Sequence, residues 1–324
     1  MNQRRKVNVY REIADFKGVK RPVLTTGTFD GVHLGHKRII QRLSELALLS
    51  GGESVVLTFH PHPRFILYPD DHSLKLLSTL NEKIDLLEKA GVQHLIIHPF
   101  SREFSRLSSM DFIRNIIVNQ IGTKKLVIGY NHHFGRNREG TFEHLKEYGP
   151  QYGFEVEEIS AQDVDQVEVS STKIRKALLD GDIATATSYL GREYSLQGMV
   201  VKGKELGRTL GYPTANIHIG DAHKLIPLDG IYAVKVELEG HMHRGMMSIG
   251  MNPTVNGKER TIEVNILNFE KDIYNKMIKI SFVKRIRDEA KFAGLEELKQ
   301  QLHKDKLETI RIFESGLAHG DLNL

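Results

Sequence analysis

The sequence contains no cysteine. That excludes a disulfide framework and any thiolate zinc site, and it suits a reducing compartment, so a cytoplasmic protein is expected. No apolar stretch follows the basic opening Met1-Asn2-Gln3-Arg4-Arg5-Lys6, and no apolar run approaches the ~18 residues that span a bilayer. Neither a signal peptide nor a membrane partner is therefore expected. Internal repeats and low-complexity segments are absent, as is any stripe of Lys and Arg interleaved with aromatics, so nucleic acid is not expected as a partner either. Charge of neither sign dominates: 45 Lys and Arg against 41 Asp and Glu leave +4, a balance that suits small anionic ligands such as nucleotides. What remains is an ordinary globular composition, 40% hydrophobic and 27% charged over 324 residues, long enough for two domains with separate cores.

The two halves follow different patterns. In the first, short apolar runs (Val23–Thr26, Ser54–Phe59, His94–Ile97, Leu126–Ile128) alternate with helical stripes. One stripe is Ile39, Ile40, Leu43, Leu46 and Ala47; another is Phe112, Ile113, Ile116 and Ile117, with Ser108 or Ser109 as N-cap. Strands alternating with helices predict a parallel sheet covered on both faces, with ligands at the carboxyl ends of its strands. Residues Ser171 to Tyr189 read as two short helices separated at Gly181. Beyond about residue 190, segments 197–201, 230–236, 246–249, 261–266 and 277–283 follow one another as strands, several alternating with period two, which predicts an antiparallel barrel. Leu295, Leu298 and Leu302 mark a closing helix, with another through Ile310 and Phe313.

Two phosphate-handling motifs stand out. Gly27-Thr28-Phe29-Asp30-Gly31-Val32-His33-Leu34-Gly35-His36 lies between the first strand and the first helix. Its glycines let the backbone approach phosphates, and His33 and His36 can donate hydrogen bonds to an α-phosphate in the transition state. Ser170-Ser171-Thr172-Lys173-Ile174-Arg175 is either an ordinary capped helix with solvated cations or a holder of triphosphate and departing pyrophosphate. Gly129-Tyr130-Asn131-His132-His133-Phe134-Gly135 also follows a strand, but its paired histidines lack the acidic companions of a metal site. In the second motif, Gly207-Arg208-Thr209-Leu210-Gly211-Tyr212-Pro213-Thr214-Ala215-Asn216, Thr214 and Asn216 offer hard oxygen ligands for Mg²⁺. Gly203, Gly207 and Gly211 can close over phosphates, or equally form a plain barrel turn. Glu263 and Asn265 share the strand face opposite Ile262, Val264 and Ile266. There Glu263 is either a wet surface carboxylate or, facing Thr214 and Asn216, an acceptor for a substrate hydroxyl proton.

Taken in order, Gly27–His36, Thr58–Arg64, Gly129–Gly140, Ser170–Arg175, Gly207–Asn216, Gly250–Thr254 and Glu263 resemble, almost end to end, the bacterial bifunctional riboflavin kinase/FAD synthetases. The resemblance implies a Rossmann-like nucleotidyltransferase domain over residues 1–186 and a six-stranded antiparallel kinase barrel with a C-terminal helix over 187–324. It implies phosphorylation of riboflavin to FMN and adenylylation of FMN to FAD, with ATP as co-substrate, Mg²⁺ as metal, and riboflavin, FMN, FAD, ATP and ADP as the molecules bound. It makes Glu263 the expected kinase base beside Thr214 and Asn216. His33, His36, Asn131, Ser171 and Arg175 are implied for adenylyl transfer, together with Gly27, Phe29, Asp30, Gly31, Gly35, Ser170 and Thr172. Gly207 and Gly211 are implied at the kinase nucleotide, and Phe59 as a flavin contact. The chain departs from the family pattern at Asn265 and Asn268, where His and Asp are usual, at His60, and at His132-His133. Because Asn265 and Asn268 remove basicity or charge beside Glu263, a one-activity protein whose barrel only binds flavin or nucleotide stands as the alternative.

Overall fold

The computed structural model describes residues 6–130, 132–159, 169–203, 206–254 and 257–320. The chain divides into two compact units, Met1–Ser171 and Thr172–Leu324.

The first unit is built on a sheet of β1 (Asn8–Tyr10), β2 (Pro22–Thr26), β3 (Glu53–His60), β4 (His94–Pro99), β5 (Lys125–Gly129) and β6 (Glu155–Ile159) in the order β1-β4-β3-β2-β5-β6. Every ladder in it is parallel. The inner strands carry near-continuous apolar runs because both faces are covered, and alternate residues serve the two faces. Leu24, Val55, Leu57 and Ile96 pack with Phe112, Ile113 and Ile117 on one side. Val23, Val56 and Leu95 pack with Ile40, Leu43 and Leu46 on the other. Of the expected stripe Ile39, Ile40, Leu43, Leu46 and Ala47, the last four are buried on the inner face of helix Leu34–Leu49 and Ile39 is half-buried beside them. Ser108 is the N-cap of the next predicted helix, accepting from the Asp111 N–H. After one turn that helix widens into a π-helix over Phe112–Gln120, with the apolar stripe still inward. The edge strands β1 and β6 are not legible from the sequence; both are short and only partly buried.

The second unit opens with helices Ser171–Leu179 and Ile183–Leu190, and Gly181 between them has φ of 77°. Six antiparallel strands follow: β7 (Ser195–Val201), β8 (Ala215–His218), β9 (Gly230–Leu238), β10 (His241–Thr254), β11 (Gly257–Ile266) and β12 (Met277–Arg287). They close into a barrel in the order β10-β11-β8-β7-β12-β9. Alternation does the sorting: Leu196 and Val200 of β7 and Ile278, Ile280 and Phe282 of β12 are buried. Tyr232 meets Phe282 edge to face inside, ring centres 5.1 Å apart. Two sequence expectations need correction. Ala215–His218, which overlaps the glycine-rich turn motif, is the sixth strand, and the closing helix is a single one over Leu295–Gly320. That helix carries Asp305, which is almost fully buried and ion-paired to Arg287 of β12 at 2.7 Å. Among the described residues, no helix is long and apolar enough to cross a membrane.

Candidate active sites

At the carboxyl ends of β2, β3 and β5 the first unit opens into a cavity of ≈ 1140 Å³. Gly27, Phe29, His33, Gly35, His36, Phe59, Ser170 and Ser171 all line it, so much of the predicted set is brought to one place. His33 is 6% exposed and caps helix Leu34–Leu49: its Nδ1 accepts from the His36 backbone N–H at 3.4 Å. An accepting Nδ1 puts the ring proton on Nε2. The His36 ring stacks on that of His33, centres 3.7 Å apart at 17°, and leans on Phe29 at 5.0 Å. Burial, followed by the proximity of His33 and Lys83, holds the His36 imidazole well below its usual pKa. His36 is therefore neutral, and its buried Nδ1 has no hydrogen-bond partner among the described residues.

Asp30 and Gly31 belong to the motif but not to the cavity wall. Asp30 is 1% exposed, and its carboxylate accepts the backbone N–H groups of Leu77 and Ser78 at 3.0 and 3.1 Å. The Gly31 N–H donates to Ser78 Oγ at 3.1 Å, and Ser171 Oγ donates to the Asp30 carbonyl at 2.9 Å. Asp30 thus ties the motif to residues 77–78 and to the Ser170-Ser171 pair. Lys83, 7% exposed, has its pKa lowered by burial while Asp30 acts to raise it. Asn131 lies outside the described residues. Thr172 and Arg175 fall in the second unit, on helix Ser171–Leu179, Thr172 exposed and Arg175 half-buried.

The cavity also has walls beyond the predicted site residues, some of them inside the quoted motifs. Phe100 and Phe104 each stand 5.5 Å from Phe59, ring to ring. Arg64, Arg106, Arg136 and Arg138 contribute cationic rim. Arg64 is paired with Asp71 at 2.6 Å, whereas Arg106 and Arg138 make no ion pair among the described residues. Single phenylalanines and arginines on short helical turns and connections carry no periodic signal, so only the fold gathers them. His132 lines the same wall, with Nε2 buried and unpartnered, and burial, then His133 and Arg138, lower its pKa to about 4.

In the second unit the motif Pro213–Asn216 runs into β8, which pairs with β11 so that Asn216 faces Glu263 and Ala215 faces Val264. Thr214 Oγ1 donates to Glu263 Oε2 at 3.0 Å. The proposed hydroxyl ligand and the proposed base therefore touch. Gly207 sits under this turn: its carbonyl accepts the Tyr212 N–H at 2.8 Å, and a β-carbon there would overlap the Tyr212 carbonyl oxygen. Gly211 has φ of 83°, a conformation that suits glycine. A neighbouring cavity of ≈ 450 Å³ is lined by Arg208, Pro213, Thr214, Phe269 and Tyr274 among others, with Glu263 and Asn216 outside its wall. Asn265, expected on a wet face with Glu263, is buried instead and donates to the Pro213 carbonyl at 2.7 Å. Asn268 is exposed, with φ of 55°.

Comparison with known proteins gives the geometry a context. The sequence profile of the FAD synthetase family matches residues 17–173, and that of the riboflavin kinase family residues 190–313. The bifunctional riboflavin kinase/FMN adenylyltransferase of Bacillus subtilis (strain 168) is 37% identical over 300 residues, covering 91% of this chain and 93% of that one. Its counterpart in Escherichia coli (strain K12) is 37% identical over 292 residues, covering 90% and 92%. A crystal structure described as a macrolide-efflux protein from Streptococcus pneumoniae superposes with a TM-score of 0.85 at 33% identity, over 94% of this chain and 98% of that one.

Proposed function

Since the chain belongs to the bifunctional riboflavin kinase/FMN adenylyltransferase family, we propose how its residues divide the two reactions. The protein phosphorylates riboflavin with ATP to give FMN, then joins FMN to the AMP part of a second ATP, giving FAD and pyrophosphate. A barrel that binds without turnover is not favoured, because the kinase profile and the bifunctional relatives both extend over it. We assign adenylyl transfer to residues 1–186 and the kinase to 187–324, in a cytoplasmic protein with neither nucleic acid nor membrane as partner.

The FMN phosphate is already an anion and needs no base. Its site must screen repulsion between anions and stabilise charge at the α-phosphorus. The observation that carries this assignment is the stacked His33–His36 pair on the wall of the cavity. His33, donating through Nε2, and neutral His36 supply hydrogen bonds without placing two cations face to face. Ser170, Ser171, Thr172 and Arg175, with Asn131, hold the triphosphate; Gly27, Phe29 and Gly35 shape the floor; Phe59 offers the flavin a flat apolar wall. Asp30 and Gly31 act as positioning residues through Leu77 and Ser78.

Riboflavin presents a neutral hydroxyl, so the kinase needs a base. Glu263 takes that proton as the hydroxyl attacks the γ-phosphorus, whose bond to the bridging oxygen breaks to release ADP. Thr214 and Asn216 would hold Mg²⁺, their hydroxyl and amide oxygens being hard donors set beside that carboxylate. The ion, when bound, neutralises phosphate charge. Gly207 and Gly211 shape the turn that lies along the nucleotide.

The assignment is tested by chromatography of flavins made from riboflavin, ATP and Mg²⁺. His36→Ala is expected to leave FMN formation intact and to cut FAD formation roughly 10²-fold, the usual effect of losing one transition-state donor. Unchanged FAD output would remove His36 from the site.

A further inference from the structure

Asn265 is a polar side chain in a buried place. Ile262, Val264 and Ile266 of β11 occupy one face of their strand, and Asn265, on the other, is still only 7% exposed. A buried amide demands partners, and this one has found a backbone group outside its own ladder: Nδ2 donates to the Pro213 carbonyl at 2.7 Å. The strand register explains why that carbonyl was available. The β8–β11 ladder pairs Asn216 with Glu263 and Ala215 with Val264, and goes no further. Pro213 lies just beyond it, at the point where the chain turns away. Asn265 thus extends the ladder by one bond, with side chain in place of backbone.

That bond is one of several that hold the turn. Tyr212 N–H is held by the Gly207 carbonyl at 2.8 Å, Pro213 by Asn265, and the Thr214 hydroxyl by Glu263 at 3.0 Å. Of these bonds, the Asn265 bond is the one that grips the peptide unit joining Pro213 to Thr214. Rotation of that unit swings the Thr214 side chain directly. We infer that Asn265 is a positioning residue for phosphoryl transfer: its amide N–H locks the Pro213–Thr214 peptide and so aims the Thr214 hydroxyl at the Glu263 carboxylate. The inference rests on the assignment of Thr214 and Glu263 to the kinase step.

The test uses the full-length protein with Asn265→Asp, Asn265→Leu and Asn265→His, and with Glu263→Gln as reference. Asp keeps shape but removes the donor; Leu keeps volume; His restores an N–H, on Nδ1, at nearly the same reach. Riboflavin phosphorylation is measured for kcat and KM, and FAD formation from FMN in the same preparations serves as an internal control. Asp and Leu are expected to lower the kinase kcat by roughly 10–100-fold, with the riboflavin KM shifted less than about 3-fold, the signature of lost alignment. His is expected to stay within about 3-fold of the parent, and FAD formation to be unchanged throughout. A purely structural Asn265 would lower thermal stability and leave the kcat of folded protein alone. Kinase kcat within about 3-fold of the parent in folded Asp and Leu variants overturns the inference, as does a His variant no better than Leu. If Asp and Leu prevent the barrel from folding, Asn265→Ser, whose hydroxyl is too short to reach Pro213, is compared with His: a lower kcat in Ser supports the inference, and equal values overturn it. Full kinase activity in Glu263→Gln would instead overturn the underlying site assignment. Its loss there, with Asp and Leu unaffected, would overturn only the role of Asn265.

Discussion

His36 and His132 are both imidazoles kept neutral by burial, each against a further nearby cation, and each with one ring nitrogen unpartnered among the described residues. The consequence for stability has a definite sign. A histidine whose pKa falls on folding binds fewer protons in the native state, so acid favours the unfolded chain. For His132, lowered from 6.5 to about 4, the contribution is complete above pH 6.5 and is lost as pH falls through the window down to about 4. The residue is half-buried although its Nε2 is sealed, so the shift is worth at most about 3 kcal/mol. His132→Phe, which keeps a ring beside Phe134, is expected to flatten the pH dependence of unfolding between pH 6.5 and 4, followed by circular dichroism in urea. An identical acid slope in parent and variant would mean that His132 titrates normally in the folded protein.

The turn between helix Leu206–Thr209 and β8 shows how an element imposes chemistry on side chains that never move far from their backbone. Gly207→Ala would press a methyl group on the Tyr212 carbonyl and come within 3.3 Å of Thr214 Oγ1. The turn has to shift, and a kinase loss of roughly 10²-fold is expected, with FAD formation from FMN unaffected; parental kinase activity in the Gly207→Ala variant would show that the turn adapts at no cost. The same turn marks the limit of what the sequence could tell. Long two-sided strands such as β3 and the amphipathic helix Leu34–Leu49 are legible because burial imposes a period on their residues. β8 is not: Ala215–His218 is four residues long and overlaps a motif that reads as a turn. Pairing to β7 and β11, invisible in local sequence, makes it a strand. The sequence divides the closing helix in two because a gap in the leucine stripe reads as a break, although Asp305, buried on Arg287, holds that stretch to the barrel. Site residues follow the same division. Glycine- and histidine-rich motifs announce His33, His36 and Thr214, whereas Phe104 and Arg106 sit on a single 3-10 turn whose position only tertiary structure sets. Asp30 is legible as a motif residue but not as an anchor, because the partners of its carboxylate, Leu77 and Ser78, are distant in sequence.

For the whole molecule, the central groups proposed for the two reactions fall in different compact units, although Thr172 and Arg175, proposed for adenylyl transfer, belong to the second. The stacked histidines line a cavity of the first; the Thr214–Glu263 contact lies in the barrel of the second. Chemistry assigned in this way is separable, since no group of one set takes part in the other. FMN is the product of the first reaction and the substrate of the second. The most direct measurement is flavin chromatography with Glu263→Gln, supplied with ATP and Mg²⁺ and either riboflavin or FMN. The protein is expected to convert FMN to FAD at the parental rate while leaving riboflavin unchanged. FAD made from riboflavin by this variant at the parental rate, or parallel loss of both conversions in a folded protein, would contradict the division of the two reactions between these two sites.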